Sequence, residues 1–110
     1  DGLPLVWHSD GDIRPFLAAA RGQGVVAVHP GGLGPYPFRQ LYSRARQLGL
    51  SVLGGVPGWA VRGGVPVAIR AGSSAALLAR AGGLLVCDDG GVSTGTELGA
   101  LIAALQAARR

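Results

Sequence analysis

Both histidines and four of the six acidic residues of this 110-residue chain fall just after short apolar runs. The first such stretch is Val6-Trp7-His8-Ser9-Asp10-Gly11-Asp12. A His-x-Asp pair where a strand ends can present an imidazole and a carboxylate to one metal ion or one substrate group. The plainer alternative has His8 bonding a loop carbonyl while Asp10 caps the turn. Asp12 stands at an N-cap position ahead of Ile13, with Pro15 in the permissive first turn, which leaves Asp10 free for a ligand. The second stretch is Cys87-Asp88-Asp89-Gly90. Adjacent carboxylates after a buried strand repel each other unless a cation, a donor or water separates them. A solvated Asx turn is the alternative there. His29, before Pro30-Gly31-Gly32, either binds substrate or fixes that glycine loop. Cys87 alternates inward along its strand and reads as core rather than as a nucleophile.

The elements that must position these groups alternate regularly. Leu3 to His8, Val25 to Val28, Leu50 to Leu53 and Leu84 to Cys87 are short apolar runs, as strands buried in a parallel sheet are. Between them, Ile13 to Arg21 and Pro37 to Leu48 carry apolar residues at helical spacing. Pro66 to Ala81 is a weaker helix, because Gly72 and Ser73-Ser74 lower its propensity. A last helix opens with the Thr94 to Glu97 capping box. The pattern is βαβαβαβα, and such crossovers impose a parallel sheet whose strand C-termini share one rim. That rim is expected to carry His8, Asp10, Asp12, His29, Trp59, Asp88 and Asp89.

Composition narrows the class. Hydrophobic residues make up 48% and aromatics only 5%, so the core must be aliphatic. The formal charge of +4 comes entirely from arginines, with no lysine. They are scattered along helices and their ends, where they suit the macrodipole, and no basic patch for nucleic acid forms. The single cysteine excludes an internal disulfide and fits a reducing, cytoplasmic setting. No signal peptide or membrane-spanning run is visible. With no methionine, the chain is expected to be processed or part of something longer.

Three stretches carry a resemblance: Val6-Trp7-His8-Ser9-Asp10-Gly11-Asp12-Ile13, Gly49-Leu50-Ser51-Val52-Leu53-Gly54-Gly55-Val56, and Leu84 to Glu97. In order and spacing they resemble the C-terminal half of the uroporphyrinogen decarboxylase superfamily, which includes the corrinoid-dependent methylcobamide:thiol methyltransferases. The resemblance implies one partial domain over residues 1–110, the last four βα units of a (β/α)8 barrel. Val6, Val26, Val52 and Leu85 would then face the barrel interior. It also implies a small-molecule substrate, either a tetrapyrrole carboxylate to be decarboxylated or a corrinoid-linked methyl group. In the methyltransferase branch a zinc ion is held by a His-x-Cys pair and a later Cys. His8 matches the histidine, and Asp10 and Asp89 stand at the two cysteine positions, which makes the site harder and less thiophilic.

The expectation is therefore a uroporphyrinogen-decarboxylase-type enzyme, with His8, Asp10 and Asp89 catalytic and Asp12, His29, Trp59 and Asp88 binding substrate. No cofactor is required. A divalent metal such as zinc is the one these residues admit, with His8 as nitrogen ligand and Asp10 and Asp89 as oxygen ligands. The expected partner is a missing N-terminal half-barrel or a second copy of the chain. Metal-assisted methyl transfer and a non-catalytic α/β binding module are the rival readings.

Overall fold

The computed structural model describes residues 2–31 and 37–110. The glycine loop after His29 thus lies, from residue 32 to residue 36, outside the described residues. Four strands, β1 (Leu5–Ser9), β2 (Val25–Pro30), β3 (Ser51–Val56) and β4 (Leu84–Asp88), form one sheet in the order β1-β2-β3-β4. Every neighbouring pair is parallel. The crossovers use helices α1 (Leu17–Gly22), α2 (Phe38–Gln47), α3 (Gly58–Arg62) and α4 (Val65–Ala79), and α5 (Gly95–Ala108) follows β4. The chain is an α/β protein of alternating βα units. No described helix is long and apolar enough to cross a membrane.

Strands that neighbour one another in chain order, joined by crossovers of the usual right hand, bring their helices to the same face. The core lies on that face. Ile13, Leu17, Val28, Leu41, Tyr42, Ala45, Leu50 and Val52 form one buried cluster, with Trp7, Phe38 and Leu84 packed against it. Val56, Val61, Ala68, Ala100, Leu101 and Ala104 form a second beneath α3, α4 and α5. Its small residues let the last helices approach closely. The Tyr42 hydroxyl lies 2.5 Å from the Gly82 carbonyl and ties α2 to the end of α4. Thr94 caps α5 as its spacing requires, its hydroxyl accepting the Glu97 N–H at 3.1 Å.

The opposite face is open. Val6 is 56% and Leu85 65% exposed, and the strand residues after them, Trp7 and Val86, pack partly buried against the helix-side clusters. Val52 departs from the expected inward set: it is fully buried under the helices, and Leu53 is the β3 residue in register with Leu85. Val26 is 43% exposed, as Val6 and Leu85 are. Leu5 pairs with Val25 and Val6 with Ala27, so Val26 is the extra residue of a bulge.

Element bounds differ from expectation where local bonding overrides periodicity. The first helix is broken into a 3₁₀ turn at Arg14–Phe16 and α1, because the Asp12 carboxylate takes the Arg14 N–H and Phe16 N–H bonds back to Ile13. β3 runs on through Gly54 and Gly55, at φ +143° and +100°, conformations open to glycine but strained for side-chain-bearing residues. α3 was not legible as a helix, because its one short turn follows Pro57 and is read as loop.

Candidate functional site

β1 and β2 bring the two histidines side by side. His8 and His29 are register partners, and their rings are 4.8 Å apart between centroids. Strand β4 supplies the third party. His29 Nε2 lies 2.8 Å from the Asp88 carbonyl oxygen and 3.7 Å from Cys87 Sγ. His29 therefore reaches across β3 to β4. It can do so because β3 presents Gly54 and Gly55 there, whose Cβ atoms would point instead toward Phe38 and Ala75 under the helices.

The contacts fix the tautomers. A carbonyl oxygen only accepts, so His29 Nε2 carries a proton and donates it to Asp88. His29 Nδ1 of the neutral ring is then an acceptor. His8 Nδ1, 3.1 Å from it and 3.0 Å from the His29 carbonyl, faces two acceptors and must donate. That leaves His8 Nε2 outermost, 3.4 Å from Asp10 Oδ1, with both side chains well exposed. A proton on that nitrogen completes an unbroken chain from Asp10 through both rings to β4. The arrangement is an imidazole, oriented from behind, that can hold or release a proton at a solvent-facing atom.

Gly31 is the hub of this corner. A Cβ added there would run into the Asp10 carboxylate and the His8 ring, and would lie 3.0 Å from the Asp89 carbonyl. His8, Asp10 and the Asp89 backbone thus meet at one point.

The carboxylate of Asp89 does not join them. Asp89 is only 4% exposed, and its Oδ1 accepts the Gly58 N–H at 2.9 Å, tying the end of β4 to the first residue of α3. Asp12 is also engaged locally. Its two carboxylate oxygens take Arg14 Nε at 2.9 Å and Arg14 Nη2 at 2.7 Å. The side-chain hydrogen bond from Arg14, ahead of its charge, holds the Asp12 carboxyl below the usual carboxylate range. Asp88 contributes its carbonyl. Trp59, in the first turn of α3, is turned to a cavity among the helices and not to the histidines.

A metal held by His8, Asp10 and Asp89 does not fit this geometry. The Asp89 side chain is committed to Gly58, and among the described residues no three His, Cys, Asp or Glu side chains are gathered as a ligand set. Asp89 acts here as a buried acceptor. Asp89→Ala is expected to lower stability by about 1–3 kcal/mol, the cost of a half-buried amide left without its acceptor, and Asp89→Asn by less. Urea unfolding checks it, and a neutral alanine variant would show that Asp89 does not hold α3.

Cys87 was expected in the core, but it stands half-buried against His29. Its position, one residue before β4 leaves the sheet, parallels that of His8 in β1, and that parallel was the available signal. Burial first, and then the Asp88 and Asp89 carboxylates, push its thiol from 9.0 up to about 11. The group is a neutral thiol near neutrality, not an activated thiolate. A raised folded-state value means that the native chain favours the protonated thiol. Stability from this source is present below pH 9 and lost as pH climbs through about 11. Iodoacetamide labelling of the native chain should therefore show a midpoint near 11, falling to the ordinary 9.0 in denaturant.

Comparisons with protein-family models, with curated proteins and with solved structures give no match to this chain.

Proposed function

We propose that the chain forms four βα units of a barrel enzyme of the uroporphyrinogen-decarboxylase type, with His8 as its proton donor. The barrel reading is supported by the chain-order parallel sheet with helices over one face and apolar residues bare on the other. The remaining strands would come from an N-terminal half-barrel or a second copy. The observation that carries the chemistry is the Asp10–His8–His29–Asp88 chain. Decarboxylation breaks the bond between carbon and the carboxylate carbon, releases CO₂, and leaves an electron pair on carbon. That pair must take a proton. His8 Nε2 is placed to give it, Asp10 to stabilise the charged ring, and His29 to fix the tautomer.

Corrinoid-linked methyl transfer, which the resemblance equally implies, draws less support. Its metal would need the Asp89 carboxylate that Gly58 holds. Decarboxylation of a tetrapyrrole carboxylate by the full-length protein, read as CO₂ release, tests the reading. His8→Gln is expected to lower turnover by ~10²–10⁴-fold, the range for a lost general acid, with the thermal transition unchanged. A non-catalytic binding module would lose affinity only. Full turnover in His8→Gln would remove His8 from the chemistry, and no CO₂ release by the wild-type protein would end the decarboxylase assignment.

A further inference from the structure

On the helix-covered side, away from the histidines, α2, α3 and α4 enclose an open cavity of about 770 Å³. That volume is in the range of small-molecule sites, roughly 300–1,000 Å³. Phe38, Trp59, Leu77 and Leu78 give it apolar walls, and Arg39 and Arg70 are its charged lining residues. Among the described residues no carboxylate lines it. The acidic residues described above are spent elsewhere: Asp12 pairs with Arg14, Asp89 holds Gly58, and Asp10 faces His8. Neither Arg39 nor Arg70 makes an ion pair among the described residues. Trp59 is 63% exposed although it borders an apolar hollow. An indole left so bare beside unpaired guanidinium groups is a surface complementary to one kind of molecule.

We infer that this cavity binds an amphipathic organic anion, its apolar body against Phe38, Trp59 and the α4 leucines and its anionic head between Arg39 and Arg70. The apolar walls select against simple anions such as inorganic phosphate, and the two cations select against amines. Guanidinium forks favour a planar carboxylate or a phosphate head. The cavity shares no side chain with the His8 chain, so the inference stands independently of the decarboxylase reading.

Octanoate, octanol and octylammonium, matched in their apolar tails, are the probes. They are titrated into the full chain by calorimetry and amide and indole NMR. Octanoate is expected to bind saturably, with shifts confined to Phe38, Trp59 and α4, and octylammonium at least tenfold more weakly. Arg39→Gln with Arg70→Gln should cost octanoate tenfold or more in affinity while sparing octanol. Ser74→Leu, which adds bulk at the solvent-facing wall, should weaken octanoate and octanol together. Equal binding of octanoate and octylammonium, no saturable binding, or octanoate shifts that map to the bare sheet face and survive Ser74→Leu would each overturn the assignment.

Discussion

Gly72→Ala will destabilise the chain by about 2 kcal/mol, although alanine is the better helix former. A Cβ at Gly72 would lie 2.8 Å from the Ala104 carbonyl carbon and 3.1 Å from its Cα, with the carbonyl oxygen nearer still. All three atoms belong to the Ala104 residue of α5, not to the flexible end of a side chain. No rotamer change relieves the clash, so α4 and α5 must move apart. That movement opens the cluster of Ala68, Ala100, Leu101 and Ala104. Overpacking of this kind typically costs ~1–3 kcal/mol and can exceed that against backbone, while the recovered helix propensity returns only about 1 kcal/mol. Gly99→Ala is the control. It lies in α5 with nothing within 4 Å of an added Cβ, so there the propensity gain stands alone and stability should rise by about 0.5–1 kcal/mol. Urea unfolding of the two variants gives opposite signs if the packing is as described. A Gly72→Ala protein at least as stable as the parent would refute the close helix contact.

The same residue shows how far the sequence could be read. Gly72 was legible as a weak point in a helix, but the reason for it was not, because the partner lies thirty-two positions away on another element. Alternation of apolar runs and amphipathic segments revealed four βα units and the parallel sheet. It could not reveal the bulge at Val26, since a bulge depends on how Leu5 and Val25 pair and not on either strand alone. The bulge puts Val25 and Val28, three residues apart, on the helix side and leaves Val26 exposed between them, a spacing that simple alternation does not produce. On β3 the face assignment failed for Val52 because a short apolar run does not show which of its two alternating sets faces the helices, and the register pairs Val52 with buried Val28 and Leu53 with Leu85.

The candidate site divides along a similar line. The rim position of His8, Asp10 and His29 follows from strand ends, which the sequence marks well. Side-chain direction does not follow. Asp89 and Asp10 have the same residue type and comparable positions, yet one is buried against the Gly58 amide and the other is 82% exposed at its side chain beside His8. The unforeseen helix α3 makes that difference, by placing an amide where the Asp89 carboxylate could meet it. Cys87 was misplaced for the complementary reason. Inward alternation is the same for a core residue and for one facing a bare sheet surface, and only knowing which face the helices cover separates them.

That bare surface leads to the second large effect. The chain is expected to self-associate at micromolar concentration through its open face, and Val6→Lys with Leu85→Lys is expected to weaken the association at least tenfold without loss of fold. Val6 and Leu85 are mostly exposed already, so lysine there loses little packing. Apolar residues gathered on one sheet face are a surface that seeks a cover. The edges add to the drive. Among the described residues β1 and β4 each have one unpaired side, and the run Leu84-Leu85-Val86-Cys87 carries no charge or proline to blunt it. A second copy can satisfy both needs, because β4 of one molecule can lie parallel to β1 of the other, twice about a two-fold axis, to give eight strands. An N-terminal half-barrel in the same chain would satisfy them within one molecule. Light scattering across a concentration series distinguishes the parent from the double-lysine variant, and circular dichroism confirms that the helices persist. Val52→Lys, buried under α2, is the contrasting change and should unfold the chain outright. A parent that stays monomeric at high concentration, with a sharp cooperative transition, would mean that the open face needs no partner, and a self-sufficient open sheet would replace the half-barrel.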